Sequence, residues 1–186
     1  MSLRLPLQTA RLTLRDFVPN DFDAIHAYAS NADVTRYMFY DPRTTAETRA
    51  YLDRMLASQR DTPRLIWELA VVLTDEDRVI GACDLTLGNV RDNEADLGFI
   101  FSQDAWGKGY ATEAAQALVR EGFEHLGLNR IFATCDVANH ASVRVLEKAG
   151  LTREATLERH KFARNTWWTS YRYAIRRQEW RSSVSP

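Results

Sequence analysis

Two glycines and a lysine fall within three consecutive positions of the stretch WGKGYATEA, residues 106–114. Gly107 and Gly109 carry no Cβ, so the backbone can turn sharply there and aim its N–H groups at one bound group. The run that follows reads as a helix, whose first turn brings unpaired N–H groups and the positive end of a dipole. Lys108 adds a mobile positive charge. Together these residues make a candidate phosphate-type anion site, and the simpler alternative is a glycine-rich turn between strand and helix. As a nucleotide loop the stretch lacks both the GxxxxGK[ST] spacing and the third glycine of a dinucleotide fingerprint.

Other reactive residue types are scattered. Cys83 and Cys135 each sit in a strand-like run away from any CxxC or Cys/His cluster, and read as reduced packing residues. His26, His125, His140 and His160 show no ligand spacing, so no metal is expected. The 24 basic and 25 acidic side chains leave a formal charge of −1, which argues against a domain built to hold a nucleic-acid backbone. No apolar run approaches the ~20 residues of a membrane span, and the N-terminal residues lack the apolar core of a signal peptide. A cytoplasmic location is the default expectation. The 186 residues fit one domain with an ordinary core, ending in a frayed tail at 182–186.

The elements that must position the glycine stretch follow from periodicity. Residues 11–17 alternate as a half-buried strand. Pro19, Asn20 and Asp21 open a helix, capped by Asn20 or Asp21, with Phe22, Ile25, His26 and Ala29 as its inner face and Tyr28 beside them. The aromatic cluster Tyr37, Phe39 and Tyr40 reads either as core or as the wall of a cleft. Residues 44–58 form a second helix with a stripe of Ala50, Tyr51, Met55 and Leu56. Residues 65–73 and 78–87 make a β-hairpin, and 88–93 a polar connection. In the strand 95–101, Ala95, Leu97, Phe99 and Phe101 face one way, and Asp96, Gly98 and Ile100 the other. A helix over 112–126 follows the glycines, and its Gly122 suggests close packing. Then come a buried strand at 130–137 and a helix capped by Asn139 and ended by Gly150. Two antiparallel strands at 152–162 and 167–175 turn around Arg164 and Asn165, and a helical turn reaches Trp180. The fold class is α/β, one mixed sheet with helices on both faces.

This order, with RLTLRDFVPNDF near the start, ADLGF at 95–99, WGKGYATEA, NHASVRVLEKAG at 139–150 and EW at 179–180, resembles the GNAT superfamily of acetyl-CoA-dependent N-acetyltransferases. Within it, the chain looks like the RimJ/RimL type, which acetylates ribosomal-protein N-termini. The resemblance implies a central, mostly antiparallel twisted sheet. It also implies that backbone N–H groups of Trp106, Gly107, Lys108, Gly109, Tyr110, Ala111 and Thr112 hold the coenzyme A pyrophosphate. The pantetheine arm is then expected along the backbone at Ile100 and Phe101, in a slot between strands 95–101 and 130–137. Asn139 matches a cofactor-contacting position. Trp106 stands where the superfamily has Gln or Arg, so the resemblance carries over the backbone contacts of that position and not its side-chain contact.

Acetyl transfer needs an uncharged amine, a polarised thioester carbonyl and a proton for the thiolate. An α-amine titrates at ~7.7–8.0 against ~10.4 for lysine, so lysine costs roughly 3.5 kcal/mol more to deprotonate. That favours a protein or peptide N-terminus, with a small-molecule amine (polyamine, amino acid, antibiotic or amino sugar) as the rival acceptor. Asp96, the acid of an acidic-x-Gly-aromatic pattern, is the first candidate base, or else a solvated strand carboxylate. Asp84, Glu94 and Glu68 are reserves. A backbone N–H near Ile100 or Phe101 is expected to polarise the carbonyl. Leu146 stands where many family members have a tyrosine acid. Ser142, on one helical face with Asn139, matches the RimJ/RimL serine and is the candidate proton donor, or else a surface serine. Arg144 and Lys148 read as solvated charges or phosphate contacts. Direct attack without a covalent acetyl-enzyme is expected, with a homodimer by analogy. The rival of another class is a non-catalytic acyl-CoA sensor.

Overall fold

The computed structural model describes residues 2–88 and 93–184. The strands are β1 (Leu7–Gln8), β2 (Leu12–Arg15), β3 (Ile66–Leu73), β4 (Arg78–Leu87), β5 (Glu94–Phe101), β6 (Arg130–Asp136), β7 (Thr152–Ala163) and β8 (Thr166–Arg176). They form one sheet in the order β1-β2-β3-β4-β5-β6-β8-β7. Every neighbouring pair is antiparallel except β5 and β6. The helices are α1 (Phe22–Ala29), α2 (Thr45–Ser58), α3 (Tyr110–Glu124), α4 (His140–Lys148) and α5 (Arg177–Val184). Among the described residues no helix is long and apolar enough to cross a membrane.

Alternation along β3 and β4 divides the core in two. Leu69, Val71, Cys83, Leu85, Ala95 and Leu97 pack on the face carrying α3 and α4. Ala70, Val72 and Ala82 pack on the face carrying α1 and α2, with Ile25, Tyr28, Tyr51 and Met55. Gly122 of α3 lies tight against the sheet: a β-carbon there would stand 2.9 Å from Ile131 Cδ1 and 3.0 Å from Leu128 Cδ1. The ~1 kcal/mol helix penalty of glycine is thus the condition for close approach.

Several boundaries differ from expectation. β1 is an additional two-residue strand, too short to show a period. Asp21 does not cap α1 with its side chain; its carboxylate accepts from the Val18 N–H at 2.8 Å and pairs with Arg15. Tyr28 is buried on the inner face of α1, whereas His26 is half-buried, 3.0 Å from the Thr48 hydroxyl and stacked on Phe22. α2 is capped by Thr44, whose side chain accepts from the Glu47 N–H, and Leu52 is buried and Ala50 exposed, because the inward stripe is Thr48, Tyr51, Leu52 and Met55. α3 begins at Tyr110, and α5 continues to Val184. Of the expected 88–93 connection, residues 89–92 lie outside the described residues, as do 185–186 of the expected tail.

Candidate active site

Past β5 the chain makes a short 3₁₀ turn, Gln103–Ala105, and enters the glycine stretch. Gly107 and Gly109 have φ of +74° and +83°, the left-handed region that costs other L-residues roughly 1–2 kcal/mol. A β-carbon at Gly107 would touch nothing within 4 Å, so conformation rather than space requires glycine there. Gly109 caps α3 without a side chain, which leaves no side-chain acceptor for the first N–H groups of that helix. Trp106 is 47% exposed, and its Nε1 donates to the Phe101 carbonyl at 3.0 Å, tying the loop to the end of β5.

Arg11 buttresses this loop from across the sheet. Its Nη1 donates to the Lys108 carbonyl at 3.0 Å, its Nε to Glu113 Oε2 at 2.7 Å, and its guanidinium lies 4.6 Å from the Tyr110 ring centre. The Thr9 hydroxyl and the Arg11 N–H complete the hold on Glu113. Sequence reasoning missed this trio, since Arg11 and Glu113 are 102 positions apart.

Strands β5 and β6 pair only at Glu94–Arg130, Ala95–Ile131 and Asp96–Phe132. Beyond Asp96 they part. The opening is a cavity of about 1020 Å³ whose walls include Leu97 to Phe101, Trp106, Gly107, Gly109 to Thr112, Ala133 to Asp136, Asn139 and Ser142. Ile100, Phe101, Trp106, Gly107, Gly109, Tyr110, Ala111, Thr112, Asn139 and Ser142 are therefore brought together. Lys108 is not in this wall, while Arg144 and Lys148 are. Asn139 accepts the Ser142 N–H at 3.1 Å, so it caps α4 and lines the cavity at once. Leu146 is buried in the core. Burial pushes the Cys135 thiol up to about 11, keeping it protonated at neutral pH.

The carboxylates are arranged differently from the sequence ranking. Glu68 on β3 stands directly opposite Asp84 on β4, and Asp84 directly opposite Gly98 on β5. Glu68 and Asp84 line the cavity; Asp96 does not. Asp96 lies where β5 and β6 still pair, and burial raises it to about 6. Glu94 is taken by Arg130 at 2.8 Å. Burial, then the neighbouring Glu68 charge, raises Asp84 to about 8, partly opposed by the Thr86 hydroxyl at 3.0 Å. Burial also raises Glu68, while the Tyr51 hydroxyl donating to it, Arg43 and Arg54 pull it down. Like-charged residues directly opposite on a sheet destabilise it, so this pair at neutral pH holds a proton.

Residues 31–43 complete the wall at the carboxylate end with Tyr37, Met38, Tyr40 and Arg43. Phe39 turns the other way, its ring 5.5 Å from Trp168 and 6.2 Å from His160. The aromatic cluster is thus cleft wall and hairpin contact together. Arg164 at the β7–β8 turn, where it and Asn165 have φ of 51° and 57°, pins this segment. It pairs with Asp41 at 2.9 Å and donates to the Arg36 and Thr35 carbonyls at 3.2 and 3.4 Å. Away from the cavity, Glu121, Glu124 and His125 converge within 4.8 Å despite lacking a recognised ligand spacing, with His125 Nδ1 2.9 Å from Glu121 Oε2.

Residues 11–152 match the family described as Acetyltransferase (GNAT) domain. The uncharacterised N-acetyltransferase YnaD of Bacillus subtilis (strain 168) is 32% identical over 94% of this chain and 98% of its own. Spermidine N(1)-acetyltransferase of Escherichia coli (strain K12) is 29% identical over 88% of this chain and 82% of its own. A solved GNAT-family acetyltransferase from Bacillus anthracis superposes with a TM-score of 0.83 at 31% identity, covering 92% of this chain and 98% of that one. The spermidine N-acetyltransferase of Vibrio cholerae, solved with CoA and spermine, shares the fold at a TM-score of 0.79 and 21% identity, over 92% and 99% of the two chains. With its eight-stranded sheet parted between β5 and β6 and its left-handed glycines at the head of α3, the chain belongs to the GNAT family of acetyl-CoA-dependent N-acetyltransferases.

Proposed function

We propose that this chain acetylates a small primary amine by direct attack, with the Glu68–Asp84 pair as proton acceptor. One observation carries the reading: a single cavity joins the glycine loop, the parted strands and the buried carboxylate pair. The residues suit coenzyme A. The uncapped N–H groups of α3 and the loop suit a pyrophosphate, and the β5 edge beyond Asp96 has no strand partner to occupy it. Arg144 and Lys148 stand near enough to the same cavity to meet further phosphate charge.

Acetyl-CoA supplies a thioester whose acetyl carbon bonds to the uncharged amine nitrogen as the C–S bond breaks; the departing thiolate takes up one proton to leave as the thiol, and the nitrogen gives up one. Glu68 and Asp84 receive that proton, with an affinity that burial has moved toward neutral pH, where a general base works best. The Ser142 hydroxyl is the donor we assign to the thiolate. Asp96 remains a more distant alternative base. Cys135, kept as a neutral thiol, is a poor nucleophile, which supports transfer without an acetyl-enzyme. A RimJ/RimL-type acceptor, a protein N-terminus, is the second reading, favoured by the low pKa of α-amines.

The test is release of free thiol from acetyl-CoA across small amines and N-terminal peptides. Turnover with small amines supports the first reading, turnover confined to peptides the second, and coenzyme A binding without turnover on any amine the sensor.

A further inference from the structure

The carboxylate end of the cavity is lined by a guanidinium held against two aromatic rings. The Arg43 guanidinium carbon lies 4.0 Å from the Tyr51 ring centre and 4.6 Å from that of Tyr40. Its main chain is fixed by a 2.9 Å bond from its N–H to the Ala29 carbonyl. Stacking on aromatic rings uses the faces of a guanidinium and leaves its N–H fork at the edge. Among the described residues no hydrogen bond or ion pair engages that fork. The hydroxyl of Tyr28, buried in the same wall, also has no partner.

Charge around this end is not that of a polycation site. Arg36, Arg43 and Arg54 line it together with Asp33, Glu68 and Asp84. Arg36 is paired with Asp33 at 2.7 Å. With one proton shared by the carboxylate pair, Arg43 and Arg54 face a single negative charge. A ligand that presented only ammonium groups would meet uncompensated guanidinium there, whereas an anionic group would complete the arrangement.

We infer that the acceptor is an amine that also carries an anionic group, a carboxylate or a phosphonate, with its nitrogen at Glu68 and Asp84 and its anion on the N–H fork of Arg43. This rests on the acetyl-transfer reading above and narrows its substrate class. A fork that meets two oxygens in one plane discriminates by charge and by shape, so lysine at this position would keep only part of the recognition.

The experiment compares matched amines in the thiol-release assay: L-phenylalanine against 2-phenylethylamine, and 2-aminoethylphosphonate against ethylamine, with spermidine and an N-terminal peptide as further arms. Wild type is expected to favour at least one acid-bearing member of these pairs by about 10- to 100-fold in kcat/KM, the scale of a charge-assisted hydrogen bond. The two pairs separate carboxylate from phosphonate. Arg43→Met should bring the ratio near one through KM, Arg43→Lys should restore part of it, and coenzyme A titration should confirm that both variants are folded. Equal or better use of the acid-free amines, spermidine or the peptide overturns the inference while leaving acetyl transfer standing. So does an Arg43→Met variant that slows both members of a pair alike. Absence of thiol release with every amine overturns the acetyl-transfer reading itself.

Discussion

The carboxyl group of Asp84 lies directly over Gly98 on the neighbouring strand, so close that a β-carbon built on Gly98 would overlap its Oδ1. Gly98 has no strained backbone angle, and its role is to make room. A single added methyl should therefore displace Asp84 from beside Glu68. Gly98→Ala is expected to lower kcat/KM by about 100-fold and stability by about 1–3 kcal/mol, with coenzyme A affinity kept. Steady-state kinetics beside a coenzyme A titration checks this, and unchanged turnover would show that Asp84 has no part in the reaction.

Asp84 should also make stability depend on pH. Its folded value of about 8 stands above the ordinary 3.8, so the native state retains a proton that the unfolded chain releases. Stability from this group is greatest below about pH 4 and falls as pH rises toward 8. Asp84→Asn removes the effect and should gain on the order of 2–5 kcal/mol at pH 9 with little gain at pH 4. Urea unfolding at the two pH values measures it, and an equal effect at both would refute the buried-proton account.

In the glycine loop, backbone conformation should outweigh the lysine. Gly109 is left-handed and 3.5 Å from Arg11 Nη2 when a β-carbon is added, whereas Lys108 touches the site only through a carbonyl held by Arg11. Gly109→Val is expected to weaken coenzyme A binding by 100-fold or more, about 3 kcal/mol of strain and lost N–H contacts. Lys108→Ala should change it by about 3-fold or less, the scale of a single exposed charge. Calorimetric titration would contradict the cradle if it ranked the two the other way.

Arg164 should act on the acceptor and not on coenzyme A. It alone bridges the β7–β8 turn to Thr35, Arg36 and Asp41 among the hydrogen bonds and ion pairs described. Arg164→Ala is expected to raise the acceptor KM by about 10-fold, since ordering the wall must then be paid at binding. A drop in coenzyme A affinity of the same size would mean that the hairpin supports the whole fold.

For the thiolate proton, Ser142→Ala should lower kcat by about 10-fold, because a thiolate leaves readily without help. A loss beyond 1000-fold would make Ser142 more than a donor.

What the sequence made legible was local. The glycine loop, the 66–87 hairpin, the Asn139 cap and the Arg164–Asn165 turn are each written in neighbouring residues, and each appears as expected. Partnerships across the sheet were not. Glu68 and Asp84 ranked below Asp96 because strand register alone sets them opposite one another and because the absence of a side chain at Gly98 lets Asp84 lie flat. Arg11 with Glu113 and Arg164 with Asp41 have no spacing signal at all. On the inner face of α1, Phe22, Ile25 and Ala29 pack as expected, while Tyr28 rather than His26 is the buried residue, because His26 lies against the Thr48 hydroxyl of α2.

The central claim is that Glu68 and Asp84 share the catalytic proton, and the pH dependence of kcat/KM tests it most directly. Wild type and Asp84→Asn should be compared on one amine, with thiol release as the signal. The account predicts a wild-type rise with an apparent pKa near the value of about 8 at Asp84. In Asp84→Asn that rise should move to lower pH, because Glu68 loses a like-charged neighbour, and the plateau should fall about 10- to 100-fold. Superimposable profiles with equal plateaus would contradict it.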